Sequence, residues 1–228
     1  MTTNAENTTA NNLTEIAFIL DQSGSMESIK AGTLEGVNAF LDQQKQENAA
    51  YPVLFSLTLF STVIEVRHSS VPVTEIPSLN AETYHPSGGT ALLDAIGITI
   101  DNLGKQLAET PEGERPGKVI VAIMTDGEEN SSRQFNWEQI SEKIKHQTEV
   151  YKWEFLFLGA NQDAIATGSR MHISAEGSTN YFQQDGSART VLRAMSSSVR
   201  FSKERRLDAK PSLSVLVAEE EARDQSGK

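Results

Sequence analysis

The stretch EIAFILDQSGSM, residues 15–26, decides the fold. Ile16 to Leu20 is a continuous apolar run, too short to be a core helix and without the alternation of a half-exposed strand, which is the pattern of a strand buried on both faces of a parallel sheet. It runs without a spacer into Asp21-Gln22-Ser23-Gly24-Ser25, residue types that form turns. The same arrangement recurs at KVIVAIMT (118–125), which runs into Asp126-Gly127-Glu128-Glu129-Asn130. VLFSLTLF (53–60) and EFLFLGA (154–160) read as two more core strands. VIEVR (63–67) and VTEI (73–76) are shorter, and an antiparallel edge strand there would follow LFSLTLF through a tight turn at Ser61 and Thr62.

Helical periodicity fills the intervals. Ile29, Leu34, Val37 and Leu41 step by three, four or five; Leu92, Ala95, Ile96, Thr99, Leu103 and Leu107 keep one buried stripe; Trp137, Ile140 and Ile144 follow Asn136 as a helix cap. Ala188, Val191, Leu192, Met195 and Val199 make a further stripe, and a shorter helix is expected around Asn161–Met171. Strands alternating with helices predict an α/β doubly wound, mostly parallel central sheet with one short antiparallel edge strand and helices on both faces.

With 228 residues, 38% of them hydrophobic, the chain suffices for one domain with a sizeable core. We expect an N-terminal tail over 1–13, the domain over 14–207, and a charged C-terminal tail over 208–228, which includes AEEEARDQSGK. A formal charge of −11 disfavours nucleic acid and anionic membranes as partners. The absence of cysteine rules out disulfides and thiolate metal sites, and no signal-like or membrane-length apolar segment is present, so a cytoplasmic setting is expected.

In a doubly wound sheet, ligands bind beyond the carboxyl ends of the strands where the winding reverses. Asp21, Ser23 and Ser25 follow one central strand, Asp126 follows another, and Thr90 ends the Gly88-Gly89-Thr90 loop ahead of a helix. Two carboxylates and three hydroxyls are hard oxygen donors and suit a small hard cation such as Mg²⁺. Gly24, Gly88, Gly89 and Gly127 would let the backbone turn sharply there. Each element also has a plainer reading: Ser25 or Thr90 as helix caps, Asp126-Gly127 as a common turn pair.

The order Asp21-x-Ser23-x-Ser25, Thr90, Asp126-Gly127 resembles the metal-ion-dependent adhesion site of von Willebrand factor type A domains, over roughly residues 14 to 205. The resemblance implies that Ser23 and Ser25 bind a divalent cation directly, Thr90 directly or through water, and Asp21 and Asp126 largely through water. It implies Mg²⁺, or Mn²⁺ or Ca²⁺, as the cofactor, and a partner protein whose Asp or Glu completes the coordination, with no catalysis. The LDQSGSM and FLFLGANQD phrasing is similar to intracellular bacterial or phage members of the family.

Asp94, in the helix after Thr90, reads as support for loop backbone, Glu128 and Glu129 as a solvated rim, and Asn161, Gln162 and Asp163 as a helix cap or partner-facing loop. His68, His85, His146 and His172 lack metal-cluster spacing, and the basic residues from Arg189 to Arg206 read as the polar face and C-terminal turn of the last helix. Two other functions compete. A haloacid-dehalogenase-type phosphotransferase would need an acid two residues past Asp21, where Ser23 stands. A scaffold domain with an unused metal site would carry the same residues.

Overall fold

The computed structural model describes residues 12–160, 163–182, 186–204 and 210–226. Strands β1 (Thr14–Asp21), β2 (Val53–Phe60), β3 (Ile64–Pro72), β4 (Lys118–Thr125), β5 (Glu154–Ala160) and β6 (Ser178–Tyr181) form one sheet in the order β3-β2-β1-β4-β5-β6. Every pairing is parallel except β2 with β3, so the sheet is doubly wound with an antiparallel edge strand, as the sequence pattern predicts. The winding reverses between β1 and β4, which places the ends of these two strands, Asp21 and Thr125, side by side at the switch point.

Two apolar layers sandwich the sheet. On one face α1 (Lys30–Glu47), α5 (Ser187–Lys203) and α6 (Leu213–Ser226) cover Phe18, Leu20, Phe55, Leu57 and Met124. On the other, α2 (Leu92–Glu109), α3 (Trp137–Tyr151) and α4 (Ala164–Arg170) cover Ala17, Ile19, Val121, Ile123 and Phe157. Even and odd positions of β1 thus serve opposite faces, which is why the run needs no alternation to be a strand. Asn136 caps α3 as expected, with a reciprocal bond from its own backbone N–H to Gln139 Oε1.

Several expectations are corrected. VTEI is not a strand: Pro72 ends the β3 ladder, and Val73–Glu75 is a 3₁₀ turn that buries Val73. β6 escaped notice because STNY has no apolar run; its register comes from pairing with β5. Residues 1–11 lie outside the described residues, and Thr14 opens β1 directly.

The charged C-terminal stretch is a helix from Leu213 to Ser226. Leu213, Leu216, Val217 and Glu220 share one face of it, and the three apolar side chains join the core beside α5. α5 is accordingly not the last helix, and of its basic residues Arg200 stays on an exposed polar face, paired with Glu204, while the others described reach neighbouring helices. Arg189 pairs with Glu35 of α1, Arg193 with Glu220 and Asp224 of α6, and the fully buried Lys203 side chain bonds Gln44 and Glu47. Arg205 and Arg206 lie outside the described residues.

One buried acid sits far from the switch point. Glu15 is wholly buried at the start of β1; Ser56 Oγ donates to its Oε1 at 2.7 Å and itself accepts the Ser70 N–H, while Glu15 Oε2 has no hydrogen-bond partner among the described residues. Ser70 adopts a left-handed φ of 49°, at an irregularity in the β2–β3 register. Burial pushes the Glu15 carboxyl up to about 7, against the opposing hydroxyl bond from Ser56. Because the folded protein holds this proton more tightly than the unfolded chain, the charge-burial cost is absent below about pH 4.5 and grows as pH rises to about 7. Glu15→Gln should therefore raise stability at pH 8 by on the order of 1–3 kcal/mol and change it little at pH 4, read by urea denaturation at both pH values. Equal effects at the two pH values would show that burial does not raise the Glu15 carboxyl above its unfolded value.

Candidate metal centre

Asp21 ends β1 fully buried, and both of its carboxylate oxygens are held. The Ser23 N–H donates to Oδ1 at 2.6 Å, and Thr125 Oγ1, from the end of β4, donates to Oδ2 at 2.5 Å. Burial raises its carboxyl to about 6, opposed by the Thr125 and Ser23 hydrogen bonds and reinforced by the neighbouring charge of Asp126. The turn that follows bends the chain into a 3₁₀ segment, Gly24–Ile29. Ser23 Oγ lies 3.1 Å from Ser25 Oγ, and Ser25 Oγ donates to Asp126 Oδ1 at 2.5 Å.

Thr90 arrives from the other side. Gly127 packs so close to it that a Cβ on Gly127 would stand 2.8 Å from Thr90 Oγ1 and 3.5 Å from Ser25 Oγ. All five residues of the sequence pattern therefore meet at one point, above the ends of β1 and β4.

The cap readings of Ser25 and Thr90 fail here, while Asp126 and Gly127 do bend the chain after β4. Ser23 occupies the cap position of the 3₁₀ segment without making a side-chain cap bond, and the α2 cap position is Ala91, not Thr90. The hydroxyls are turned toward one another and Asp126 instead. Thr90 is 3% exposed, yet its hydroxyl makes no hydrogen bond among the described residues. Among the sharp turns expected from four glycines, only Gly88 takes a left-handed φ, 75°; Gly127 is required by the close approach of Thr90.

The donor set fits a hard divalent cation. Two carboxylates match a double positive charge, and three hydroxyls add neutral oxygens. Among the described residues no three His, Cys, Asp or Glu side chains gather to hold a metal, so the hydroxyls are indispensable to any such site.

Several contributors were invisible in the sequence. Tyr84 and Tyr181, both buried, donate their hydroxyls to the backbone carbonyls of Asp21 at 2.6 Å and Thr125 at 3.3 Å, and so fix the ends of the two central strands. Burial, with the charges of Asp21 and Asp126 adding to it, holds both phenols well above their usual range, so both remain donors. In the sequence Thr125 is only the end of an apolar run. Glu129 is no solvated rim: its carboxylate accepts the backbone N–H groups of Leu93, Ser131 and Ser132. Asp94 supports loop backbone as expected, accepting from the N–H groups of Arg133, Gln134 and Phe135. Asp163 caps α4; Asn161 and Gln162 lie outside the described residues.

Two hollows, of about 640 and 570 Å³, lie at the opposite end of the sheet, beside the starts of β5 and β4.

No protein-family model matches the chain, and no curated protein matches it by sequence. Solved structures do. Proximal thread matrix protein 1 from the mussel byssus, in a structure whose MIDAS motif is occupied by zinc, is 17% identical with a TM-score of 0.55, over 83% of this chain and 46% of that one. A second crystal form of the same protein gives 16% identity and a TM-score of 0.53, over 84% and 46%. The VWA2 paralog of ArnB from Sulfolobus acidocaldarius gives 17% identity and a TM-score of 0.47, over 81% and 44%. The chain thus spans about half the length of the structures it matches, and what it shares with them is the von Willebrand factor type A fold.

Gly127→Ala should drive the new methyl against the Thr90 hydroxyl and cost about 1–3 kcal/mol in chemical denaturation. The Thr90 amide resonance should shift with it. Gly113→Ala, where nothing lies within 4 Å of the added carbon, serves as the control and should change neither. A Gly127→Ala protein as stable as this control would show that the two loops are not packed as described.

Proposed function

We propose that the chain is a metal-dependent protein-interaction module that captures a partner's Asp or Glu through a divalent cation held by Asp21, Ser23, Ser25, Thr90 and Asp126. The observation that carries this reading is the convergence of three hydroxyls and two carboxylates at the switch point, with Ser25 Oγ on Asp126 and the hydroxyls of Ser23 and Ser25 facing each other instead of capping a helix. The zinc-occupied MIDAS motif of proximal thread matrix protein 1, on the same fold, supports it.

The roles divide by charge. Asp21 and Asp126 neutralise the cation, while the hydroxyls of Ser23, Ser25 and Thr90 bind it without adding charge. When bound, the cation presents a positive centre on an otherwise acidic surface, and a carboxylate from outside is the ligand class it favours. Mg²⁺ is the expected cation, with Mn²⁺ or Ca²⁺ as substitutes.

We read the module as a binder and not an enzyme. Ser23, two residues past Asp21, stands where a phosphotransferase of this topology would hold its acid, and its hydroxyl faces Ser25. Among the described residues no helix is long and apolar enough to cross a membrane. A cytoplasmic location and a relation to bacterial or phage proteins remain parts of the proposal that come from the sequence pattern.

Since only the folded chain gathers these oxygens, a bound cation stabilises it by about 2.7 kcal/mol at a hundredfold excess over Kd. The melting temperature should rise with Mg²⁺ or Mn²⁺ and return with EDTA, while Asp126→Asn should gain much less. Identical shifts in both proteins, or none in either, would refute the metal site. Partner capture should vanish in EDTA and in Ser23→Ala and Thr90→Ala, both of which should keep a native circular dichroism spectrum. Capture that survives EDTA would reject recognition through the cation.

A further inference from the structure

Resting on the metal-binding reading above, we propose that Glu129, Asn130 and Asp94 are positioning residues of the metal centre, clasping the loop that carries Thr90 to the loop that carries Asp126. None of the three touches the five converging side chains through its own side chain; they act through backbone.

The clasp closes at Thr90 itself. The Thr90 N–H donates to Asn130 Oδ1 at 2.9 Å, and the Thr90 carbonyl accepts from the N–H groups of Asn130 at 3.0 Å and Ser131 at 3.2 Å. Gly89, one residue earlier, is pressed so closely on the same segment that a Cβ there would lie 2.3 Å from Ser131 Oγ.

On either side of this bridge the two loops cap each other. Glu129, from the loop after β4, reaches across to accept the Leu93 N–H at the start of α2 at 2.9 Å, in place of the side-chain cap that α2 lacks. It also accepts from Ser131 N at 2.9 Å, Ser132 N at 2.7 Å and Ser132 Oγ at 2.7 Å. Asp94, from the first turn of α2, reaches back to accept from Arg133, Gln134 and Phe135 N–H groups at 2.8 to 2.9 Å, and its own N–H donates to Ser132 Oγ at 3.0 Å.

Four donors fill the acceptor capacity of the Glu129 carboxylate. It is therefore spent on position and has none left for a cation or a partner. Glu128, next to it, is exposed and makes no such bonds. Thr90 is the one hydroxyl of the centre that does not belong to the β1 turn; bonds from Gly24 to Gly88 and from Ser87 to Gln22 tie its loop to that turn, and the clasp ties it to the loop that carries Asp126. Residues that orient metal ligands from behind typically cost about 10–100-fold in metal affinity when altered.

The test is isothermal titration of the full chain with Mn²⁺, paired with a metal-free urea melt. Glu129→Gln keeps the shape but turns an NH₂ group toward backbone N–H donors, and should weaken Mn²⁺ by about tenfold or more. Glu128→Gln removes the same charge one residue away and should stay within about twofold of wild type. Asn130→Ala, which removes a single acceptor, should weaken Mn²⁺ measurably and carries the test alone if Glu129→Gln does not fold. Loss of metal-free stability in Glu129→Gln with an Mn²⁺ affinity equal to that of Glu128→Gln would overturn the positioning role, as would an unchanged affinity in Asn130→Ala. A wild-type protein that takes up no Mn²⁺ would instead overturn the metal-binding reading on which the role rests.

Discussion

The structure depends on keeping a carboxylate dry at the seam where the sheet reverses its winding. Asp21 is buried at the end of β1, and a lone desolvated carboxylate there would be costly. The cost is offset by Thr125 from β4 and the Ser23 amide, which between them hold both oxygens. This arrangement welds β1 to β4 at their carboxyl ends and folds the turn after β1 back over the seam. Tyr84 and Tyr181 complete it by occupying the two terminal carbonyls.

From that seam the polar centre grows outward in layers. Ser23 and Ser25 are aimed by the turn, Asp126 by β4, and Thr90 by a loop tied both to the turn after β1, through Gln22 and Gly24, and to the loop after β4, through Asn130. The fold thus supplies four of the five side chains from the two central strands and borrows the fifth. The borrowed element is where loop-to-loop bonding is densest.

Most of the architecture was legible because the four central strands are mostly apolar runs and each is followed by turn residues that end it. The order of hydroxyls and carboxylates marked the centre for the same reason: short polar residues after buried strands have nowhere to go but the sheet edge. What the sequence concealed was set by partners distant along the chain. β6 is polar and is a strand only because β5 offers it an edge. The last helix carries so many acids that its three core-facing side chains were outweighed, although two of those acids, Glu220 and Asp224, are matched by Arg193 of α5. Glu129 looked like a surface acid because nothing near it in sequence reveals that the start of α2 lacks a cap. Tyr84 sits in a stretch with no regular periodicity, and only the fold shows that its hydroxyl meets Asp21.

The contacts that make the centre join residues far apart in the chain. Thr125 and Asp21 are 104 positions apart, and Ser25 and Asp126 are 101. Closing loops of that length is entropically expensive and is repaid only when the parallel pairing of β1 with β4 is complete. Of the five oxygen-bearing residues, Asp21, Ser23 and Ser25 emerge early during synthesis, yet they remain an ordinary turn until the chain beyond Asp126 has been made and docked. A nascent or half-folded chain therefore displays no centre at all. Recognition that runs through this site would double as proof that folding has finished.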